Sequence, residues 1–288
     1  MDIILFILLG GLIGIFSGFF GIGGGIILTP LLLLLGFSPT FVIGTSLMLS
    51  LGTSISGAIA HFRMGNIQWK YVAIINVMGI IGTQIAHPLI TKLESLGYAE
   101  TAISVFYIML LGFFAVTLLK KQKNKQASRP APAFPLLIAG LIGLGAGFIS
   151  SALGVSGGFF IVPLLISLLG LKAPHAVGTS LASVVFIVTA GFISYSLSST
   201  LDYIAGISLI IGTFLGAPLG AKSTLLVKET FMRLLLGSLY ICMILSVIVN
   251  LFLPSFIGLI IIGAFALFFF TTLIRQKWLS RKEKEAVS

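Results

Sequence analysis

Two short runs carry the residues with which this sequence could do chemistry: Gly21-Ile22-Gly23-Gly24-Gly25 and Gly154-Val155-Ser156-Gly157-Gly158. Each leads into a strongly apolar stretch, so its successive backbone N–H groups stand at the start of a helix. Such amides, together with the positive end of the helix dipole, bind anions. Glycine lets the backbone approach a ligand without a side-chain clash. Thr45-Ser46 and Thr179-Ser180 add hydroxyl donors, with Ser17, Ser150 and Ser151 as neighbours. The candidate substrate-binding set is therefore Gly21, Gly23, Gly24, Gly25, Thr45, Ser46, Gly154, Ser156, Gly157, Gly158, Thr179 and Ser180. An oxyanion held by dipoles, with no full counter-charge, is also free to leave.

Other chemistries lack their residues. The single cysteine, Cys242, supports neither a disulfide framework nor a metal cluster. Glu94, Glu100, Asp202 and Glu229 fall at the ends of apolar segments, where a solvated interfacial carboxylate is the ordinary reading. His61 and His175 are placed similarly. His87, near Gln84, is the one histidine in apolar surroundings and the candidate protonatable group. No catalytic residue, metal or cofactor is expected, and an enzyme is disfavoured. Gly21-x-Gly23 superficially matches a dinucleotide loop, but no strand precedes it. The stripes Gly10-x3-Gly14-x3-Gly18 and Gly143-x3-Gly147-x3-Ser151 have the spacing of close helix packing in membranes.

The elements that must position these runs follow from composition. The chain of 288 residues is 58% hydrophobic and 8% charged, with a mean hydropathy of +1.19. A soluble surface needs about 25% charged residues. Apolar runs near the ~20 residues of a membrane span follow one another, continuous and without a period of two. In lipid, helices satisfy every backbone polar group internally, so the expected fold is an all-α polytopic membrane protein. Met1-Asp2 carries no basic region before the first run, which reads as a membrane segment and not as a leader peptide. The net charge of +10 sits in loops and the tail. There it sets topology and touches anionic membrane lipid, so nucleic acid is not an expected partner.

The chain repeats itself. Residues 10–35 and 143–168 align without gaps at ten identical positions, among them Gly21/Gly154, Gly24/Gly157, Gly25/Gly158 and Pro30/Pro163. With one residue of slip, Gly44-Thr45-Ser46-Leu47 matches Gly178-Thr179-Ser180-Leu181, Gly57 matches Gly191, and Gly82 matches Gly216. The expected organisation is a first repeat at 1–119, a basic linker at 120–134 and a second repeat at 135–250. An extra transmembrane helix and basic tail occupy 251–288. Apolar segments fall at 3–20, 26–36, 40–60, 70–88 and 99–119, then 135–153, 159–170, 174–197, 203–221, 230–250 and 254–274. If each segment reverses the chain, 16 of the 17 Lys and Arg residues lie on one side and only Lys92 on the other. The positive-inside rule makes that side, with linker and C-terminus, cytoplasmic. Five reversals per repeat also invert the second copy relative to the first. Segment 26–36 spans only about 16 Å as helix, so each glycine run is expected at the tip of a re-entrant hairpin near mid-membrane. Two full tilted crossings share the same parity.

The stretch from Gly14 to Leu32, of form GxxSGxxGxGGGxxxxPxL, its weaker copy from Gly147 to Leu165, and the Gly-Thr-Ser repeats resemble the TauE/SafE family of sulfite exporters. The second copy departs from the first, with Ser151 in place of Gly18 and Ser156 in place of Gly23. The resemblance implies a prokaryotic inner-membrane permease for sulfite, sulfoacetate, other organosulfonates or related sulfur anions. An ion such as the proton, or the substrate's own gradient, would drive it. The inverted repeat suits alternating access. A channel using both tips as a filter, or a permease for a different small anion, is the alternative reading.

Overall fold

In a computed structural model the chain is described at residues 3–20, 23–119, 134–224, 229–252 and 254–287, and all regular structure there is helical. Eleven helices follow in order: α1 (Ile3–Phe20), α2 (Gly25–Leu34), α3 (Pro39–Arg63), α4 (Trp69–Ser95), α5 (Ala99–Leu119), α6 (Pro135–Leu153), α7 (Gly158–Leu169), α8 (Ala173–Ser198), α9 (Tyr203–Ser223), α10 (Glu229–Phe252) and α11 (Ser255–Val287). Among the described residues nine of them are long and apolar enough to cross a membrane, α2 and α7 being the short ones. Large apolar side chains such as Leu8, Phe113, Leu197, Leu215 and Phe268 are exposed along these helices. That surface is tolerable only against lipid, and the protein is a multi-pass membrane protein.

Most boundaries fall within a few residues of the apolar segments, but α4 does not stop at Pro88. It continues to Ser95, and Pro30, Pro163 and Pro218 also lie inside helices. In lipid no water competes for the carbonyl that proline frees, and neighbouring helices hold the chain in line. The extension has a second hold: Glu94 Oε1 accepts from the Thr40 backbone N–H (3.4 Å) and hydroxyl (3.2 Å). Its carboxylate thus sits at the N-terminal end of α3, which corrects the plain solvated reading. Asp202 likewise caps α9, accepting from the N–H groups of Ile204 and Ala205 at 3.0 Å.

Glycine stripes set how the helices pack. Gly10, Gly14 and Gly18 of α1 lie against the backbone of Leu209, Thr213 and Ala217 in α9; Gly143 and Gly147 of α6 lie against Ile75 and Gly79 in α4. Both pairs therefore run parallel. Gly52 beside Ile210 and Gly206 beside Met48 make α3 parallel to α9, and Gly79 beside Ile187 with Gly191 beside Thr83 makes α4 parallel to α8. By contrast, Gly57 meets Leu181 while Gly191 meets Leu47, so α3 and α8 cross antiparallel. These four residues are two repeat-equivalent pairs that exchange partners. Helices α1, α3 and α9 thus run one way and α4, α6 and α8 the other, an arrangement compatible with inverted repeats. The same directions place Arg63, Lys70, Lys172 and Lys222 at one face and Lys92, Glu94, Glu100 and Asp202 at the other. The basic residues at 120–129 and Lys228 lie outside the described residues.

Candidate anion-binding site

The two glycine runs meet at mid-length of the long helices. Helix α2 starts with Gly25 beside Ser50 and returns along α3, with Thr29 donating to Ser46 Oγ at 2.9 Å. Ser50 is near the middle of α3, so the turn stands halfway through a span. Helix α7 starts with Gly158 beside Ser180 and Val184 of α8 and returns toward the basic face. This arrangement is compatible with two re-entrant hairpins entering from opposite faces. The tips touch: Gly25 abuts the Gly154 carbonyl, and a Cβ on Gly23 would stand 2.5 Å from Ser156 Oγ.

Though aligned, the two turns differ. The first bends at Gly23 (φ 75°) while Gly24 stays in the right-handed region at φ −71°. The second has serine at the position of Gly23, which disfavours a positive φ, and bends instead at Gly154 (φ 68°) and Gly157 (φ 67°).

Hydrogen bonding gives the tips a sign. The N-cap residues of α2 and α7 are glycines that supply no side-chain cap. The third N–H of each helix, of Ile27 and Phe160, bonds the Gly24 and Gly157 carbonyls, and the two before it point along the helix axis toward the tips. The competing carbonyls, however, are covered. Tyr107 donates to Leu153 O at 3.2 Å and lies 3.4 Å from Gly25 O. Ser150 donates to Val155 O at 2.6 Å, Tyr195 to Ser151 O at 2.8 Å, and Thr29 lies 3.5 Å from Gly154 O. With these carbonyls bonded, the N-terminal ends of α2 and α7 leave a field that favours an anion.

A cavity of about 890 Å³ runs from these tips to the basic face. Gly23, Ser156, Gly158 and Ser180 line its inner end, and Thr117, His61 and Ala221 lie toward its mouth. No Asp, Glu, Lys or Arg is among its described lining residues. The hydroxyls of Thr53, Ser54 and Thr213 are directed at the carbonyls of Ser50, Leu51 and Gly10. That of Ser180 is buried without a partner, and Ser17 is within reach of the same space. On the other side of the tips, Leu28, Leu32, Val42, Ile43 and Leu47 are fully buried in packed core.

The expected site residues divide accordingly. Gly23, Ser156, Gly158 and Ser180 reach the cavity. Gly24 faces the side chains of Leu49 and Ile13, Gly25 and Gly154 hold the tips together, and Gly157 lies against Ala146. Thr45 and Ser46 are buried behind the first tip, and Thr179 accepts from the Gln68 N–H at 3.0 Å. Gly21 lies outside the described residues. Gly44 and Gly178, which precede those hydroxyls, lie against Leu201 and Asn66 of the loops leading into α9 and α4. The Gly-Thr-Ser pattern thus makes room for a loop as much as it supplies donors. His87 is not at the cavity; it bonds Ser198 Oγ at 2.8 Å on the α4–α8 contact. Residues not anticipated include Tyr107, Tyr240 and the α3 stripe Ser50, Thr53, Gly57 and His61. The i, i+3, i+4 spacing of that stripe was a usable signal.

A family model described as Sulfite exporter TauE/SafE matches residues 6–247. The "Probable membrane transporter protein YdhB" of Bacillus subtilis is 31% identical over 231 residues, covering 80% of this chain and 93% of its own length. A protein of the same description from Haemophilus influenzae is 27% identical, covering 77% of this chain and 89% of itself. One from Methanocaldococcus jannaschii is 26% identical, covering 82% and 91%. No solved structure matches.

Proposed function

This chain belongs to the TauE/SafE family of sulfite exporters and is a membrane transporter; from that membership and its cavity we propose that it carries small sulfur-containing anions by alternating access. Sulfite, sulfoacetate and other organosulfonates are the substrate class. The single observation that carries the reading is the cavity itself, which ends at two helix N-termini without side-chain caps and has no full counter-charge among its described lining residues. Its volume far exceeds a bare oxyanion, leaving room for water or an organic tail along Phe114, Phe159 and Phe214. What supports a transporter over a channel is that the cavity reaches toward the basic face, while among the described residues the far side of the tips is packed core. Gly24, Gly25, Gly154 and Gly157 shape the tips, and Thr45, Ser46 and Thr179 act behind them.

The two repeats, 1–119 and 135–250, are the moving parts. By the positive-inside rule the basic face is cytoplasmic, so this conformation is inward-open. The driving gradient is a proton, another ion or the substrate itself. A reporter fused after Lys92 reads as extracytoplasmic; a cytoplasmic signal there overturns the orientation. The functional test is flux of sulfite, sulfoacetate and other sulfonates into proteoliposomes. Saturable uptake above empty liposomes is expected, and none for any of these anions would sink the reading.

A further inference from the structure

The repeats are equivalent in sequence but not in their contacts. Tyr107-Ile108 of α5 corresponds to Tyr240-Ile241 of α10, at the same offset that relates Gly24 to Gly157. Tyr107 is fully buried on the closed side of the tips, and its hydroxyl reaches Leu153 O and Gly25 O, one on each hairpin. Tyr240 lines the cavity on the open side, and among the described residues its hydroxyl has no hydrogen-bond partner. The ring is packed, only 2% of the residue being exposed, while the residue borders the cavity that separates it from the tips.

A second pair shows the same asymmetry independently. Gln68, preceding α4, donates its N–H to Thr179 Oγ1 at 3.0 Å. The repeat equivalents are Asp202, preceding α9, and Thr45. Thr45 Oγ1 is buried and has no partner, although the loop carrying Leu201 already rests on Gly44. In each pair one member is engaged and its repeat equivalent has no partner among the described residues. Two inverted copies of one unit can exchange such conformations, so an unmade contact in one state is a made contact in the other.

We propose that Tyr240 is the gate of the basic face. In the opposite-open state it clasps the two hairpin tips, through carbonyls at the end of α1 and the start of α7, as Tyr107 clasps them here through the end of α6 and the start of α2. The Asp202 N–H bonds Thr45 in that state while the Gln68–Thr179 bond opens. Tyr107 and Thr179 therefore stabilise the conformation with the cavity open to the basic face, and Tyr240 and Thr45 its alternative. The inference rests on alternating access and not on the identity of the anion.

The test needs no substrate. In a Cys242→Ala background, Ser56→Cys reports the open cavity from the basic face. Ala190→Cys, its repeat equivalent, reports the opposite face. Each is labelled with a membrane-impermeant maleimide in oriented vesicles. Tyr107→Phe and Thr179→Val are expected to slow labelling at position 56 and speed it at 190, shifting their ratio roughly five-fold, as loss of one net hydrogen bond allows. Tyr240→Phe added to Tyr107→Phe returns the ratio to that of the unmodified gate, as does Thr45→Val added to Thr179→Val. Thr45→Ser and Thr179→Ser keep the starting ratio. Double variants that stay shifted, or shift further, overturn the proposal, and so does an unchanged ratio in every variant. Absent sulfur-anion flux with compensating ratios would remove the substrate reading and leave the gate standing.

Discussion

Gly23→Leu is expected to lower anion flux on the order of a hundred-fold while the protein still inserts and purifies as a folded species. The position combines two demands. Its φ of 75° is a left-handed conformation, costing a residue with a Cβ about 1–2 kcal/mol. Its missing Cβ faces Ser156 Oγ at 2.5 Å, at the inner end of the cavity. A leucine there fills the space between the two tips and tilts the amides that follow, and a misplacement of about 1 Å is enough for a loss of that size. Helices α1 and α2 keep their sequence, so insertion is retained. Flux in proteoliposomes, normalised to monodisperse protein, checks it; normal flux would take the tip out of the site. Gly24→Leu is the weaker experiment, because a side chain at Gly24 meets the flexible ends of Leu49 and Ile13.

Gly147→Leu is expected to destroy the protein as a folded species, a different failure from loss of flux. A Cβ at Gly147 would run into the Gly79 carbonyl, and backbone cannot swing aside as a side chain can. Helices α4 and α6 must separate along their whole contact, which also carries Gly143 against Ile75 and Gly82 against Leu144. Overpacking of this kind costs about 1–3 kcal/mol even where side chains can yield. The apparent melting temperature in detergent should fall by about 10 °C or more, with loss of the monodisperse peak. Gly112→Leu is the control: nothing lies within 4 Å of its Cβ position, and its melting temperature should be unchanged.

Much of the architecture was open to reading along the chain. The termini of α1, α5 and α6 coincide with the ends of the apolar runs 3–20, 99–119 and 135–153, because bilayer thickness dictates how long such a run must be. The packing role of the Gly10, Gly14 and Gly18 stripe was legible for a similar reason: only small residues at helical spacing let two backbones touch. Pro88 misled, since a signal that ends helices in water is overridden where neighbours hold the chain. His61 was placed past a segment end and is instead within α3 at the cavity wall.

The sequence by itself determined that this is a helical membrane protein of two repeated halves with glycine breaks at matching places. Those facts depend on composition, run length and register, all of them one-dimensional. The tertiary structure alone decided which side of each break faces open space. It placed Gly23, Ser156, Gly158 and Ser180 at the cavity and turned Gly24 and Gly157 into packing. It also set Tyr107 on the tips and left Tyr240 idle. The physical reason is that lipid and protein core are both apolar, so a membrane helix has no polar side to mark the direction in which it faces. Two equivalent residues can look alike in sequence and still differ in contact, because packed core surrounds Tyr107 and open space borders Tyr240.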